Sequence, residues 1–204
     1  MIKSEDLFKA HILDDFYPKE VVQNIAKYIN DIIYERKGMA GKHMFNTNMF
    51  DWDKRLSGLK NGKIPLETPY LVLIHIISNH DKEFSDYVTE ETNKLVHPYG
   101  YKIIYSPMYH LWTPQSRINW HCDYAPKNDD MRHGALTVYL NGEWGLDRGG
   151  ELVYTTHSSL KEGIEKVTPA YNRAVLLDGG VHHKTTPVVE GNLRKSLQIW
   201  LTKL

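Results

Sequence analysis

Apolar residues near the N-terminus recur at helical spacing, with Val21, Val22, Ile25, Tyr28, Ile29, Ile32 and Ile33 on one stripe. Pro18 stands where a first turn tolerates proline and Gly38 offers a stop, so the pattern predicts a helix from Pro18 to about Gly38. Lys19, Glu20, Lys27 and Asp31 form its solvated face, and its role is scaffolding. Gly41 to Lys63 has no clean period and reads as a long loop, the kind of segment that serves as a lid or a binding loop. Pro69 opens a second helical region read as far as His80. Asp81 starts a third with Phe84, Tyr87, Val88 and Leu95, which His97-Pro98-Tyr99-Gly100 ends.

Beyond Gly100 the texture changes to β-formers. Tyr101–Trp112, Ala135–Leu140, Glu151–Thr155, Arg173–Leu177 and Ser196–Leu201 are strand-like runs separated by Gly, Pro, Asn and Asp. Helices followed by many short strands predict a mainly β chain of α+β class, a barrel or sandwich backed by N-terminal helices. At 204 residues one domain is expected. Its residues 1–100 would be the helical support and residues 101–204 the β core. No internal repeat or low-complexity linker divides it.

Charge narrows the partners. Twenty-five basic and 25 acidic residues balance without a block of either sign, so nothing favours nucleic acid or an anionic membrane. Cys122 is the one cysteine, which excludes an intramolecular disulfide and argues against a Cys-rich zinc site. The first residues lack an apolar signal core, and the longest apolar run, Tyr70 to Ile77, is broken by His75. A soluble, cytoplasmic protein is expected.

The candidate chemistry centres on Trp120-His121-Cys122-Asp123. In an extended strand His121 and Asp123 project to one side and Cys122 to the other, so both could grip one metal ion. Among eleven histidines a single His-x-Asp pair arises by chance about as often as not. Company strengthens it: a strand-like stretch containing His182 and His183, then Pro187, Arg194 and a final apolar strand. Two imidazoles and a carboxylate on one face of an ion suit non-haem Fe(II) oxygenases. A metal-dependent hydrolase or isomerase on a cupin-like barrel would use the same pair, and a non-catalytic jelly roll that binds metal or a partner protein is a third reading. His75, His80 and His97 have no carboxylate motif beside them and read as ordinary histidines.

Five landmarks stand in one order: His121-x-Asp123, Tyr139-Leu140-Asn141 with Trp144, Gly149-Gly150-Glu151-Leu152, Pro169-x-x-Asn172-Arg173, and His183-x-x-x-Pro187 leading to Arg194 and Trp200. With them, Tyr101 to Lys203 resembles the Fe(II)- and 2-oxoglutarate-dependent dioxygenases, in their prolyl 4-hydroxylase-like branch. The resemblance implies a double-stranded β-helix, or jelly roll, buttressed by the N-terminal helices. It implies Fe(II), with 2-oxoglutarate and O2 as cosubstrates and ascorbate as a reductant. The implied activity is hydroxylation of an unactivated C–H bond with release of succinate and CO2. A prolyl residue in a peptide or protein is the first substrate; another side chain, a free amino acid or a small metabolite is the alternative.

By the same resemblance His121, Asp123 and His183 hold the iron, His183 being preferred to His182 because Pro187 follows it by four. Arg194 pairs with the distal carboxylate of 2-oxoglutarate, a task its planar fork suits. The Tyr139 hydroxyl helps hold that carboxylate, while Leu152 and Trp200 line the pocket. Gly149-Gly150 shapes a bend rather than contacting a ligand. One departure is visible. Several members carry tyrosine nine residues before the first ligand, where this chain has Trp112, and Tyr109 is out of register. An indole donates one hydrogen bond and accepts none, so contacts near the iron differ here.

Overall fold

The computed structural model describes residues 8–35, 40–43, 71–123, 132–157 and 159–204. The described chain begins with strand β1 (Ala10–Leu13), helix α1 (Lys19–Glu35), strands β2 (Ala40–His43) and β3 (Leu71–Ile76), and helix α2 (Lys82–Val96). Nine strands follow: β4 (Tyr101–Ile103), β5 (Met108–Trp112), β6 (Ile118–His121), β7 (Gly134–Tyr139), β8 (Leu152–Thr155), β9 (Glu165–Val167), β10 (Ala174–Asp178), β11 (His182–Thr185) and β12 (Arg194–Lys203). One sheet has the order β1-β10-β7-β12-β5-β3-β2, with β4 also paired to β12; the other is β6-β11-β8-β9. Every recorded pairing is antiparallel.

Alternation along the strands gives the larger sheet two unlike faces. On one, Leu136, Val138, Leu197, Ile199, Leu201, Tyr109 and Leu111 share a core with Val21, Val22, Ile25 and Ile29 of α1 and Val88 and Val96 of α2. On the other, Tyr139, Val175 and Leu177 meet Leu152, Tyr154, Val167 and Val181, and Trp112 and Val72 meet Ile118 and Val188. The result is a β-sandwich of jelly-roll type with the helices on one outer face.

Local chemistry explains the helix limits. The Asp81 carboxylate accepts the Phe84 N–H at 2.8 Å and caps α2, a contact worth about 1 kcal/mol. Gly100, at φ 82°, takes the left-handed conformation that stops the turn after it. The entry to α1 is pinned by Asn172: its Oδ1 accepts Tyr17 N–H at 3.0 Å and its amide donates to Tyr17 O at 2.8 Å. Asn172 sits at φ 59°, which asparagine tolerates better than most side chains. Thus the Pro169-x-x-Asn172-Arg173 landmark joins the turn before β10 to the start of α1. Arg173 adds a two-pronged contact to Asp14, at 2.5 and 3.0 Å.

Three expectations fail in the first half. The helix expected from Pro69 to His80 is absent over the described residues 71–80: Leu71–Ile76 is a strand beside β5, and only Ile77–Asn79 makes a short 3-10 turn, while Pro69 lies outside the described residues. A six-residue apolar run fits a strand buried on both faces as well as a helix, and its pairing with β5 decides. The N-terminal half is therefore not purely helical support, since β1, β2 and β3 extend the larger sheet. Part of the expected Gly41–Lys63 loop is strand too, because Ala40–His43 pairs with β3. The rest of that loop lies outside the described residues, as does Gly38; α1 runs to Glu35. Tyr101–Trp112 divides into β4 and β5 rather than forming one run.

Candidate functional site

Antiparallel pairing of β6 with β11 sets His121 opposite His183, with ring centroids 4.2 Å apart. The strand ends at His121, and Asp123 follows after a bend rather than in continued extension. The bend still delivers the carboxylate to both rings: Oδ1 lies 3.7 Å from His121 Nε2, and Oδ2 lies 3.5 Å from His183 Nε2. One potential ligand atom from each residue falls within 4.8 Å of the other two. These separations are long for hydrogen bonds and suit three groups facing a shared ion.

The far side of each ring is anchored. His121 Nδ1 lies 2.8 Å from Asn119 O, and His183 Nδ1 lies 2.9 Å from Val181 O. An Nδ1–H donated to those carbonyls leaves each Nε2 lone pair turned toward the cluster. Burial, reinforced by the neighbouring His183, pushes the His121 pKa below its ordinary 6.5 despite the opposing pull of Asp123. The ring is therefore held in its neutral, metal-binding form at neutral pH. His182 lies outside the cluster, its neighbour His183 pointing to the opposite face of β11. Cys122 is exposed.

A second group assembles on the inner face of the larger sheet. Arg194, only 2% exposed, begins β12 opposite Trp112 of β5. Its guanidinium lies 4.7 Å from the Trp112 ring centroid and 4.9 Å from that of Tyr139. The contact to Ser196 Oγ is long, 3.4 Å. Arg194 Nε, Tyr139 Oη and Trp112 Nε1 are all buried without a hydrogen-bond partner among the described residues. Burial lowers the Arg194 pKa and raises that of Tyr139, so the tyrosine keeps its proton.

A buried cation without an anion costs several kcal/mol. With Arg194 Nε, Tyr139 Oη and Trp112 Nε1 all unpartnered among the described residues, the three side chains form a cradle that a carboxylate would satisfy. The donor set thus fits the carboxylate of a small organic acid. The His-Asp-His cluster fits a divalent ion that takes nitrogen and oxygen ligands.

The flanking landmarks hold this cradle. Asn141 accepts Lys195 N–H and donates to Leu193 O, both at 2.7 Å, bracing the backbone on either side of Arg194. Sequence reasoning missed this role, although the Tyr139-Leu140-Asn141 landmark contained the residue. Gly150 has φ 69°, and a Cβ there would approach Arg194 Cδ to 2.9 Å. Glycine is needed on both counts. Trp144 donates to Gly149 O at 2.8 Å and fixes the same turn. Leu152 packs with Tyr139 in a buried cluster. Trp200 lies on the same strand face as Arg194 but six residues further along, with Arg132 5.0 Å over its ring.

Residues 107–202 match the model of the 2OG-Fe(II) oxygenase superfamily. Among solved structures, a prolyl-4-hydroxylase from Pseudomonas putida is similar with a TM-score of 0.66 at 20% identity, covering 97% of this chain and 94% of that one. A prolyl hydroxylase from Trichoplax adhaerens, solved with a hypoxia inducible factor oxygen degradation domain peptide fragment, gives 0.67 at 16% identity, covering 95% and 83%. The non-heme alpha ketoglutarate dependent epimerase SnoN from nogalamycin biosynthesis gives 0.66 at 7% identity, covering 98% and 80%. At these identities the likeness shows the fold. No curated protein matches in sequence.

Proposed function

We propose that the chain, whose residues 107–202 match the model of the 2OG-Fe(II) oxygenase superfamily, is a dioxygenase that hydroxylates a C–H bond, with a prolyl residue of a peptide or protein as substrate. The observation that carries the proposal is the anion-seeking cradle of Arg194, Tyr139 and Trp112 in the same sandwich as the His121-Asp123-His183 cluster. His121, Asp123 and His183 would hold Fe(II) and leave positions for the keto acid and O2. Bound iron, with 2-oxoglutarate and O2, supplies the oxidising chemistry and releases succinate and CO2.

The chain's own residues bind, orient and exclude water. Arg194 offers charge and N–H donors to the distal carboxylate, Tyr139 its hydroxyl and Trp112 its indole N–H. Leu152 forms an apolar wall beside Tyr139, and Trp200 bounds the pocket further along β12. The helices α1 and α2 serve as the buttress of the larger sheet, and the chain works as one domain. Abstraction from carbon needs no side-chain base, and among the described residues no nucleophile–base pair competes for the catalytic role.

A peptide substrate is favoured because a protein of the same fold, the Trichoplax adhaerens enzyme, was solved with a peptide. A non-prolyl small-molecule substrate is the second reading, favoured by the equally similar fold of the SnoN epimerase. The test is anaerobic titration of the Fe(II) protein with 2-oxoglutarate. A weak visible charge-transfer band is expected, with Arg194→Ala requiring far more cosubstrate to reach it. Iron bound without any band would discard the oxygenase reading in favour of another metalloprotein.

A further inference from the structure

The inner face of the larger sheet does not end at the cradle. Residues 194, 196, 198 and 200 of β12 share that face, while Leu197, Ile199 and Leu201 face the helices. Four residues at about 3.4 Å each put Gln198 about 14 Å along the strand from Arg194. That is beyond a five-carbon diacid anchored at the guanidinium. Gln198 stands across from Thr137 of β7 and Met108 of β5. The Thr137 hydroxyl donates to Gln198 Oε1 at 2.7 Å.

This bond uses the acceptor of the carboxamide and leaves its NH2 group with no hydrogen bond to a described residue. The NH2 is not sealed in the core, since Gln198 is half-buried and the group is not among the buried unpartnered atoms. The backbone ladder on both sides of Gln198 is already made by β5 and β7, so the pair has no ladder to complete. The same end of the sandwich carries the iron-side residues. His133 N–H donates to Leu201 O and Gly179 N–H to His133 O, two residues before Val181 accepts from His183. The Gln198–Trp200 half of β12 is therefore tied to the turn that delivers His183, whereas Arg194 lies at the Gly150–Pro187 end.

We propose that Gln198, oriented by Thr137, is a specificity-determining residue whose NH2 group donates to an amide carbonyl of the substrate beside the hydroxylated carbon. The inference rests on the reading of the site as an oxygenase acting on peptides, and it names the group by which a peptide would be recognised. A site built to hydrogen-bond a substrate group discriminates strongly when either partner is removed. Gln198→Leu deletes the donor, Gln198→Glu keeps the shape but presents an anion to the carbonyl, and Thr137→Val releases the carboxamide to rotate.

The probe is a set of acetylated, amidated tripeptides with each of the twenty residues at the centre, assayed for 2-oxoglutarate-dependent succinate formation. Turnover of at least one tripeptide is expected. Its KM should rise at least tenfold in Gln198→Leu and Gln198→Glu and several-fold in Thr137→Val, with the KM for 2-oxoglutarate unchanged within about twofold. A peptide KM indifferent to both Gln198 variants overturns the proposal. So does failure of every tripeptide while the anaerobic 2-oxoglutarate band is intact. Loss of the band itself would instead sink the oxygenase reading and this inference with it, so the two failures are distinguishable.

Discussion

The two faces of β12 obey opposite rules. Toward the helices it offers Leu197, Ile199 and Leu201, all fully buried in an apolar core. Toward the second sheet it offers Arg194, Ser196, Gln198 and Trp200, and the buried guanidinium has no anion among the described residues. The outer face lowers the free energy of the fold through removal of apolar area from water. The inner face raises it, because desolvated donors without acceptors are costly. One strand therefore holds the sandwich together with one set of side chains and presents a buried, unpartnered donor with the other. A polar group left unsatisfied on a well-packed strand points to a ligand more sharply than an exposed one does.

The largest effect should come from the cluster that the second sheet supplies. Asp123→Ala removes the carboxylate that both imidazoles face, and Fe(II) binding and turnover should be abolished. Equilibrium iron binding checks this, and unchanged affinity would discard the site assignment. On the outer face of β12, Ile199→Ala should cost about 3 kcal/mol of stability in urea unfolding. Iron and 2-oxoglutarate binding by the folded protein should stay at wild-type levels. A specific loss of cosubstrate would break the division between faces.

The inner face should respond in the reverse sense. Arg194→Met should weaken 2-oxoglutarate about a hundredfold, in line with about 2–3 kcal/mol for a charge-assisted contact. Urea unfolding of the cosubstrate-free protein should show stability unchanged or raised by about 1 kcal/mol, because a buried unpaired cation has gone. Strong destabilisation would make Arg194 a structural residue instead.

The smallest effect is on pH. The folded pKa of His121 is lowered, so the unfolded chain binds the proton more readily. Its contribution to stability is fully present above the ordinary 6.5 and is lost as pH falls from there through the lowered value. Thermal unfolding of the metal-free protein should show this slope, and His121→Gln should flatten it. An equal slope in the variant would assign the titration to another group.

Much of this was legible in the residues. The α1 stripe announced itself by its period, and the start of α2 by Asp81. The turn-separated β-formers after Gly100 announced the strands of the second half. The landmarks around His121, Tyr139, Gly149, His183 and Arg194 marked the positions that the fold brings together. Leu71–Ile76 was not legible, because a short, nearly continuous apolar run has no period to distinguish strand from helix. Asn141 was missed because bracing Leu193 and Lys195 is a contact across 52 and 54 residues, invisible to local pattern.

By itself the sequence determined the order in which two imidazoles, a carboxylate and an arginine stand along the chain, and that order is what makes them recognisable. It also determined the alternation that splits β12 into two faces, because side-chain direction in a strand has a period of two. The tertiary structure decided what those faces meet. It set Arg194 between Trp112 and Tyr139, turned Asp123 toward both rings through a bend, and left the Gln198 NH2 without a partner among the described residues. The reason is physical: burial and hydrogen-bond satisfaction are properties of neighbours distant in the chain, and they exist only once the two sheets close on each other.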